Sequence, residues 1–174
     1  MDELTKCRIV DQFGYPMPRE TMAERLDKTH WSRDFSWAEI QSLTEHLAAV
    51  RVPMGQYIVQ ENQDERFMAI LLGGKAVVTK RSADRTHKEL AQLTVGYAVG
   101  ELALFDGQPR SASVVAKSDC RLLVLTLAHL QFMEIEKPEL CCKLLKRMAV
   151  TLGQRLRATS ATLVDIMVEL GASS

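Results

Sequence analysis

The strongest constraint on this chain's fold is a change of hydrophobic period part-way along it. Between Val50 and Leu125 the apolar residues come in short runs at strand-like spacing: Gln56 to Gln60, Phe67 to Leu72, Lys75 to Lys80, Lys88 to Thr94, Ser111 to Ala116 and Arg121 to Leu125. Short strands separated by turns point to an all-β roll or barrel. Gly73-Gly74 is a hairpin signal, and the polar stretch Arg81 to His87 predicts a longer exposed turn. From Pro138 the period becomes helical, and nothing from Glu139 to Leu170 breaks it except the tolerable Gly153. Leu145, Ala149, Leu152, Leu156, Thr159, Leu163, Ile166 and Leu170 alternate in steps of four and three. That seam predicts a coiled-coil homodimer, with a stripe against a globular core as the competing reading.

At 174 residues the chain is long enough to bury a core without staples. Acidic and basic residues balance at 22 each, which leaves no electrostatic footprint for nucleic acid or an anionic membrane. Cys7, Cys120, Cys141 and Cys142 have neither zinc-ligand spacing nor the pattern of a disulfide framework. The N-terminus has no apolar signal core, and no run approaches the ~18 apolar residues of a membrane span. A cytoplasmic protein without a membrane segment is expected.

Three regions follow from these patterns: an arm over residues 1–35, a β-rich body with flanking helices over 36–137, and a long helix over 138–174. The arm is hard to read, with Pro16, Pro18 and scattered charge, an irregular stretch at Asp27 to Asp34, and Trp31 expected to pack onto the body. Ser36-Trp37-Ala38-Glu39 is a capping box, followed by Trp37, Ile40, Leu43 and Leu47 on one helical face. Thr126 is the expected N-cap of a helix carrying Leu130, Phe132 and Met133, which ends near Lys137-Pro138.

The stretch Val99 to Val114 carries the chemistry. Gly100 to Ala103 opens a short apolar helical turn, where unpaired backbone N–H groups and the positive dipole end can cradle an anion if Gly100 lets it approach. Arg110 supplies a planar fork that fits two phosphate oxygens. Glu101 would repel a phosphate but can accept a hydrogen bond from a ribose hydroxyl. Together they suggest a nucleotide monophosphate. Arg110 shares alternation parity with Ala112, Val114 and Ala116, so a face turned inward would bury a guanidinium that needs an anion; Val115 on the other parity argues the opposite way.

Gly100-Glu101-Leu102-Ala103-Leu104 with Pro109-Arg110-Ser111-Ala112 resembles the phosphate-binding cassette of the cyclic nucleotide-binding domain, of the catabolite activator type. Gly55, Ile70, Gly74 and Val78 resemble the family's pattern across the strands. The resemblance implies an α+β fold: an eight-stranded β-roll (jelly-roll) with a flanking N-terminal helix and a long C-terminal dimerisation helix. It implies a ligand site of Val99, Gly100, Glu101, Leu102, Ala103, Arg110, Ser111 and Ala112, with Val78 and Leu90 walling the base. Thr159-Ser160 on the long helix resembles the Thr-Ser pair that reaches the adenine, which favours cyclic AMP, whereas Ser111 could serve a guanine and so cyclic GMP. Departures fall at Asn62 and Glu65, where the family usually carries glycine, and at Val99, where an aromatic is common. Asn62 can still adopt a left-handed turn, while Glu65 requires a different loop.

The expected function is therefore a receptor that passes ligand binding through its long helix to a downstream protein partner, with no cofactor. A transcription factor would need a helix-turn-helix beyond the long helix, and this chain alone is expected not to bind nucleic acid. A cupin-type metalloenzyme would need clustered ligands, yet His30, His46, His87 and His129 are scattered, with no His-x-His pair. Glu101 and Arg110 could pass for an acid/base pair, but no nucleophile or metal site accompanies them, so neither a catalytic residue nor a metal is expected.

Overall fold

A computed structural model describes residues 7–82 and 86–171 of the chain. They fall into two compact units, Met1–Glu136 and Lys137–Ser174.

The first unit opens with more helix than its sequence advertises. α1 (Arg8–Phe13) and α2 (Arg19–Asp27) are followed by a 3-10 turn at His30–Ser32 and by α3 (Trp37–Thr44). The stretch expected to be irregular, Asp27 to Asp34, holds only the end of α2, turns and the 3-10 turn, while the arm ahead of it carries α1 and α2. Pro18 stands just outside α2, where its missing N–H costs nothing, and Met22, Ala23 and Leu26 turn inward from one face. Trp31 is buried and stacked on Phe35 at 5.5 Å between ring centroids. The capping box forms as expected: Glu39 N–H donates to Ser36 Oγ, and Ser36 N–H donates to the Glu39 carboxylate. Trp37, expected on the inner face of α3, is 43% exposed instead. It occupies the first helical position, and Ile40 and Leu43, three and six residues on, carry the burial.

Eight strands follow: β1 (Ala48–Val52), β2 (Tyr57–Val59), β3 (Phe67–Gly73), β4 (Ala76–Arg81), β5 (His87–Leu93), β6 (Ala98–Val99), β7 (Ser113–Ala116) and β8 (Cys120–Thr126). They form two four-stranded antiparallel sheets, ordered β1-β8-β3-β6 and β2-β7-β4-β5. Among the consecutive strands described, β4 and β5 alone pair with each other. Every other link carries the chain across from one sheet to the other, as in a jelly roll.

The hairpin expected at Gly73-Gly74 is one of these crossings. Gly74 adopts a left-handed φ of +91°, and a Cβ there would collide with the Asp119 carbonyl oxygen. The β3–β4 corner is therefore pressed against the β7–β8 corner, where Lys117 N–H donates to the Lys75 carbonyl and Lys75 N–H donates to Ser118 Oγ. A two-glycine turn satisfies either geometry, and the long-range partner decides which one forms.

Inward-facing residues of both sheets make one core: Val50, Val52, Phe67, Ala69, Leu71, Ala76, Val114, Ala116, Leu122 and Val124 among them. β5 is an exposed edge whose charged residues discourage pairing with another chain. α4 (Glu101–Phe105) interrupts the path from β6 to β7, and α5 (Leu127–Glu136) packs on β8 after Thr126, whose Oγ1 accepts from His129 N–H.

The second unit is a single helix, α6 (Pro138–Gly171). On the isolated chain Leu156, Leu163 and Ile166 of the expected seam are exposed. The side chain of Leu170, the last seam position, lies outside the described residues.

Candidate functional site

The site is built where β6 gives way to α4. Val99 ends the strand with its side chain buried, and Gly100 then turns the chain at a left-handed φ of +83°. Only a residue without a Cβ fits there: a methyl would stand 2.6 Å from Arg110 Nη1 and 2.7 Å from the Phe67 carbonyl oxygen. Glu101 and Ala103 begin α4 facing inward, and Leu102 faces outward, about half exposed. Asp106 Oδ1 accepts from Gln108 N–H, closing the turn that brings the chain back.

Arg110 then enters the interior. It is 3% exposed. Its Nη1–H donates to the Gly100 carbonyl at 2.6 Å and its Nη2–H to the Phe67 carbonyl at 2.7 Å. The guanidinium lies over the Phe67 ring, 4.3 Å from the centroid. Its Nε is buried without a hydrogen-bond partner among the described residues. Burial strips water from the cation and lowers its pKa to about 10, while the carboxylates of Glu65 and Glu101 act in the opposite sense. A drop from 12.5 to about 10 means that holding Arg110 charged costs the folded chain on the order of 3 kcal/mol. The stronger of the two parity readings is the inward one, since Val114 and Ala116 are buried with Arg110 and Val115 is only half-buried.

The backbone of Arg110 is held by the β2–β3 loop. Asn62 N–H donates to the Arg110 carbonyl, and Arg110 N–H donates to the Gln63 carbonyl. Asn62 has the left-handed φ, +64°, that its position requires. Glu65, in the same loop, pairs with Arg8 of α1.

The structure thus brings Val99, Gly100, Glu101, Ala103 and Arg110 together around one small segment. Ser111 follows Arg110 and is exposed, and Ala112 is half-buried. Val78 packs against the roll core and pairs with Val114 of β7. Leu90 is 59% exposed at a β-bulge, between the pairs Val78–Ala91 and Thr79–Glu89. Thr159 and Ser160 sit on α6 and are exposed; Ser160 Oγ–H donates to the carbonyl of Leu156 in its own helix. Sequence reasoning missed the Phe67 carbonyl as a partner of Arg110 and the approach of α1, which depend on residues far away along the chain.

No group of three or more potential metal ligands occurs among the described residues, and none of their helices is long and apolar enough to cross a membrane.

A left-handed glycine, a buried carboxylate and a buried arginine at this mutual spacing define a known kind of site. Residues 49–134 match the family profile of the cyclic nucleotide-binding domain. This body is a cyclic nucleotide-binding domain. The chain is 27% identical over 128 residues to a CRP-like cAMP-activated global transcriptional regulator of Mycobacterium tuberculosis, covering 74% of this chain and 55% of the relative. It is 33% identical over 124 residues to a cAMP-dependent protein kinase regulatory subunit of Aspergillus fumigatus, covering 70% of this chain and 29% of the relative. The chain therefore spans about half the length of the first of these relatives and under a third of the second. Among solved structures, a cyclic nucleotide-binding domain from Methylobacillus flagellatus superposes with a TM-score of 0.74 at 25% identity, covering 90% of each chain.

Proposed function

We propose that the chain is a cytoplasmic cyclic AMP receptor without catalytic turnover, whose buried Arg110 holds the cyclic phosphate. Arg110 carries this reading. A guanidinium that is buried, costly and opposed mainly by backbone carbonyls gains most from an anion that two of its N–H groups can grip. Gly100, with no side chain, lets the Arg110 fork lie against the start of α4, Glu101 accepts from a ribose hydroxyl, and the α4 residues Leu102 and Ala103 supply N–H donors. Val78 and Leu90 wall the base, with Val99, Ser111 and Ala112 completing the pocket edge. Thr159 and Ser160 recognise the adenine, which places cyclic AMP ahead of cyclic GMP, and the names of the relatives above point the same way. The exposed apolar row of α6 pairs with a second copy, so a homodimer carries the ligand signal to a downstream partner.

A second reading is supported by the partial coverage of the relatives: the domain is the sensing portion of a ligand-gated transcription factor. The two readings share the same nucleotide chemistry and differ in output. Isothermal titration with cyclic AMP, cyclic GMP and 5′-AMP tests the shared part. Binding is expected in the order cyclic AMP, cyclic GMP, 5′-AMP; no heat from any of them at millimolar concentration overturns it.

A further inference from the structure

α1 packs against β1 and into the core of the roll. Cys7 and Ile9 are buried within the cluster that fills the space between the two sheets, and Val10 and Phe13 pack against it from the edge. That cluster also contains Phe67 and Val114, and Val78 packs on it. The helix is fastened at both ends. At its start Arg8 meets the carboxylate of Glu65, Nε at 3.3 Å from Oε1 and Nη2 at 3.4 Å from Oε2. At its end Gly14 bridges to Val50 on the free edge of β1, and Tyr15 N–H donates to the Ala49 carbonyl.

Its position bears directly on Arg110. Glu65 belongs to the loop whose Asn62 and Gln63 hold the Arg110 backbone. Glu65 is also, with Glu101, a carboxylate whose charge acts on the Arg110 guanidinium. The carboxylate of Glu65 thus takes part of the field that an anionic ligand would use, and Arg8 keeps that carboxylate in place.

Resting on the nucleotide reading above, we propose that residues 7–14 form an autoinhibitory strap, which occupies the roll core beside Arg110 and is displaced when a cyclic nucleotide binds. Close-packed interiors have no room for a second occupant, so a purine against Val78 and a phosphate on Arg110 compete with Cys7, Val10 and Phe13 for the same core. The strap suits this role: it is six helical residues with half-buried fastenings, too short to persist as a helix once lifted off. The apparent affinity is then the intrinsic one reduced by the fraction of chains with the strap open.

The test reads Cys7, which the closed strap buries. The 174-residue chain is alkylated with iodoacetamide with and without cyclic AMP, and modification is mapped by peptide mass, with exposed Cys142 as the open-thiol reference. Saturating cyclic AMP is expected to speed alkylation of Cys7 roughly tenfold or more while leaving Cys142 unchanged. In parallel, Phe13→Ala, which removes only a half-buried ring outside the cassette, is expected to speed Cys7 alkylation without ligand. It should also tighten cyclic AMP binding about threefold to tenfold. Bound cyclic AMP that leaves Cys7 alkylation unchanged or slows it overturns the strap and spares the nucleotide reading. Binding absent from the wild type overturns both.

Discussion

The roll joins its two sheets at contrasting places. At the corner where Gly74 meets Asp119, the chain crosses between sheets through main-chain hydrogen bonds, and its charges stay in water: Arg51 and Asp119 pair at 3.0 Å with both side chains well exposed. At the Val99–Arg110 crossing the chain instead inserts a five-residue helix and buries a charged guanidinium against carbonyls. The first corner is built only to hold. The second retains a cost that a bound anion would relieve, and this difference separates a structural turn from a binding segment.

The contrast breaks most sharply at Arg110. Arg110→Ala is expected to weaken cyclic AMP binding at least about 100-fold, since truncating one member of a buried charge pair costs several kcal/mol. Stability should change by less than about 2 kcal/mol, because the relief of a buried charge offsets the two carbonyls left without donors. Titration calorimetry and chemical denaturation of the same variant measure the two quantities.

Gly74→Ala is the opposite experiment. The left-handed backbone and the collision with Asp119 predict a loss of about 2–4 kcal/mol in denaturant unfolding. Cyclic AMP affinity of the folded fraction should stay within about threefold of wild type, because nothing in that corner touches the cassette.

These two positions also mark what was legible in the sequence. The cassette was legible because its chemistry is local: Gly100, Glu101 and Arg110 fall within eleven residues, whereas the parity around Arg110 left its direction open, with Val114 and Val115 arguing opposite ways. The capping box of α3 was legible for the same reason. Gly73-Gly74 was misread as a hairpin because a two-glycine turn has no local feature that says which strand its neighbour will pair with; Asp119, 45 residues on, decides that. The helices of residues 8–27 were hidden because each is too short to show a period, and α1 owes its place to Glu65, 57 residues from Arg8. Phe67, whose carbonyl and ring hold Arg110 from 43 residues away, was equally invisible as a partner.

Smaller effects refine the comparison. Changing Thr159 and Ser160 together to Ala should weaken cyclic AMP about tenfold and narrow its preference over cyclic GMP, read by competition between the two ligands. At the holding corner, Asp119 accepts from Arg51 and from Met54 N–H, which lowers its pKa below the usual 3.8. A depressed carboxylate stabilises the fold above its unfolded pKa and loses that contribution as pH falls through the folded one. Asp119→Asn should therefore flatten the acid limb of the stability profile below about pH 4, slightly and without altering ligand affinity at pH 7.

The central claim, that Arg110 is buried to grip a cyclic phosphate, is tested most directly by ligand-linked thermal unfolding of the full chain and of Arg110→Ala. Cyclic AMP at about 100 times its Kd stabilises a binding-competent fold by about 2.7 kcal/mol, or roughly 5–10 °C in Tm for a chain of this size. That shift is expected for the wild type, and no more than about 0.4 kcal/mol, or roughly 1–2 °C, for Arg110→Ala at the same concentration. An equal shift in both proteins would contradict the claim.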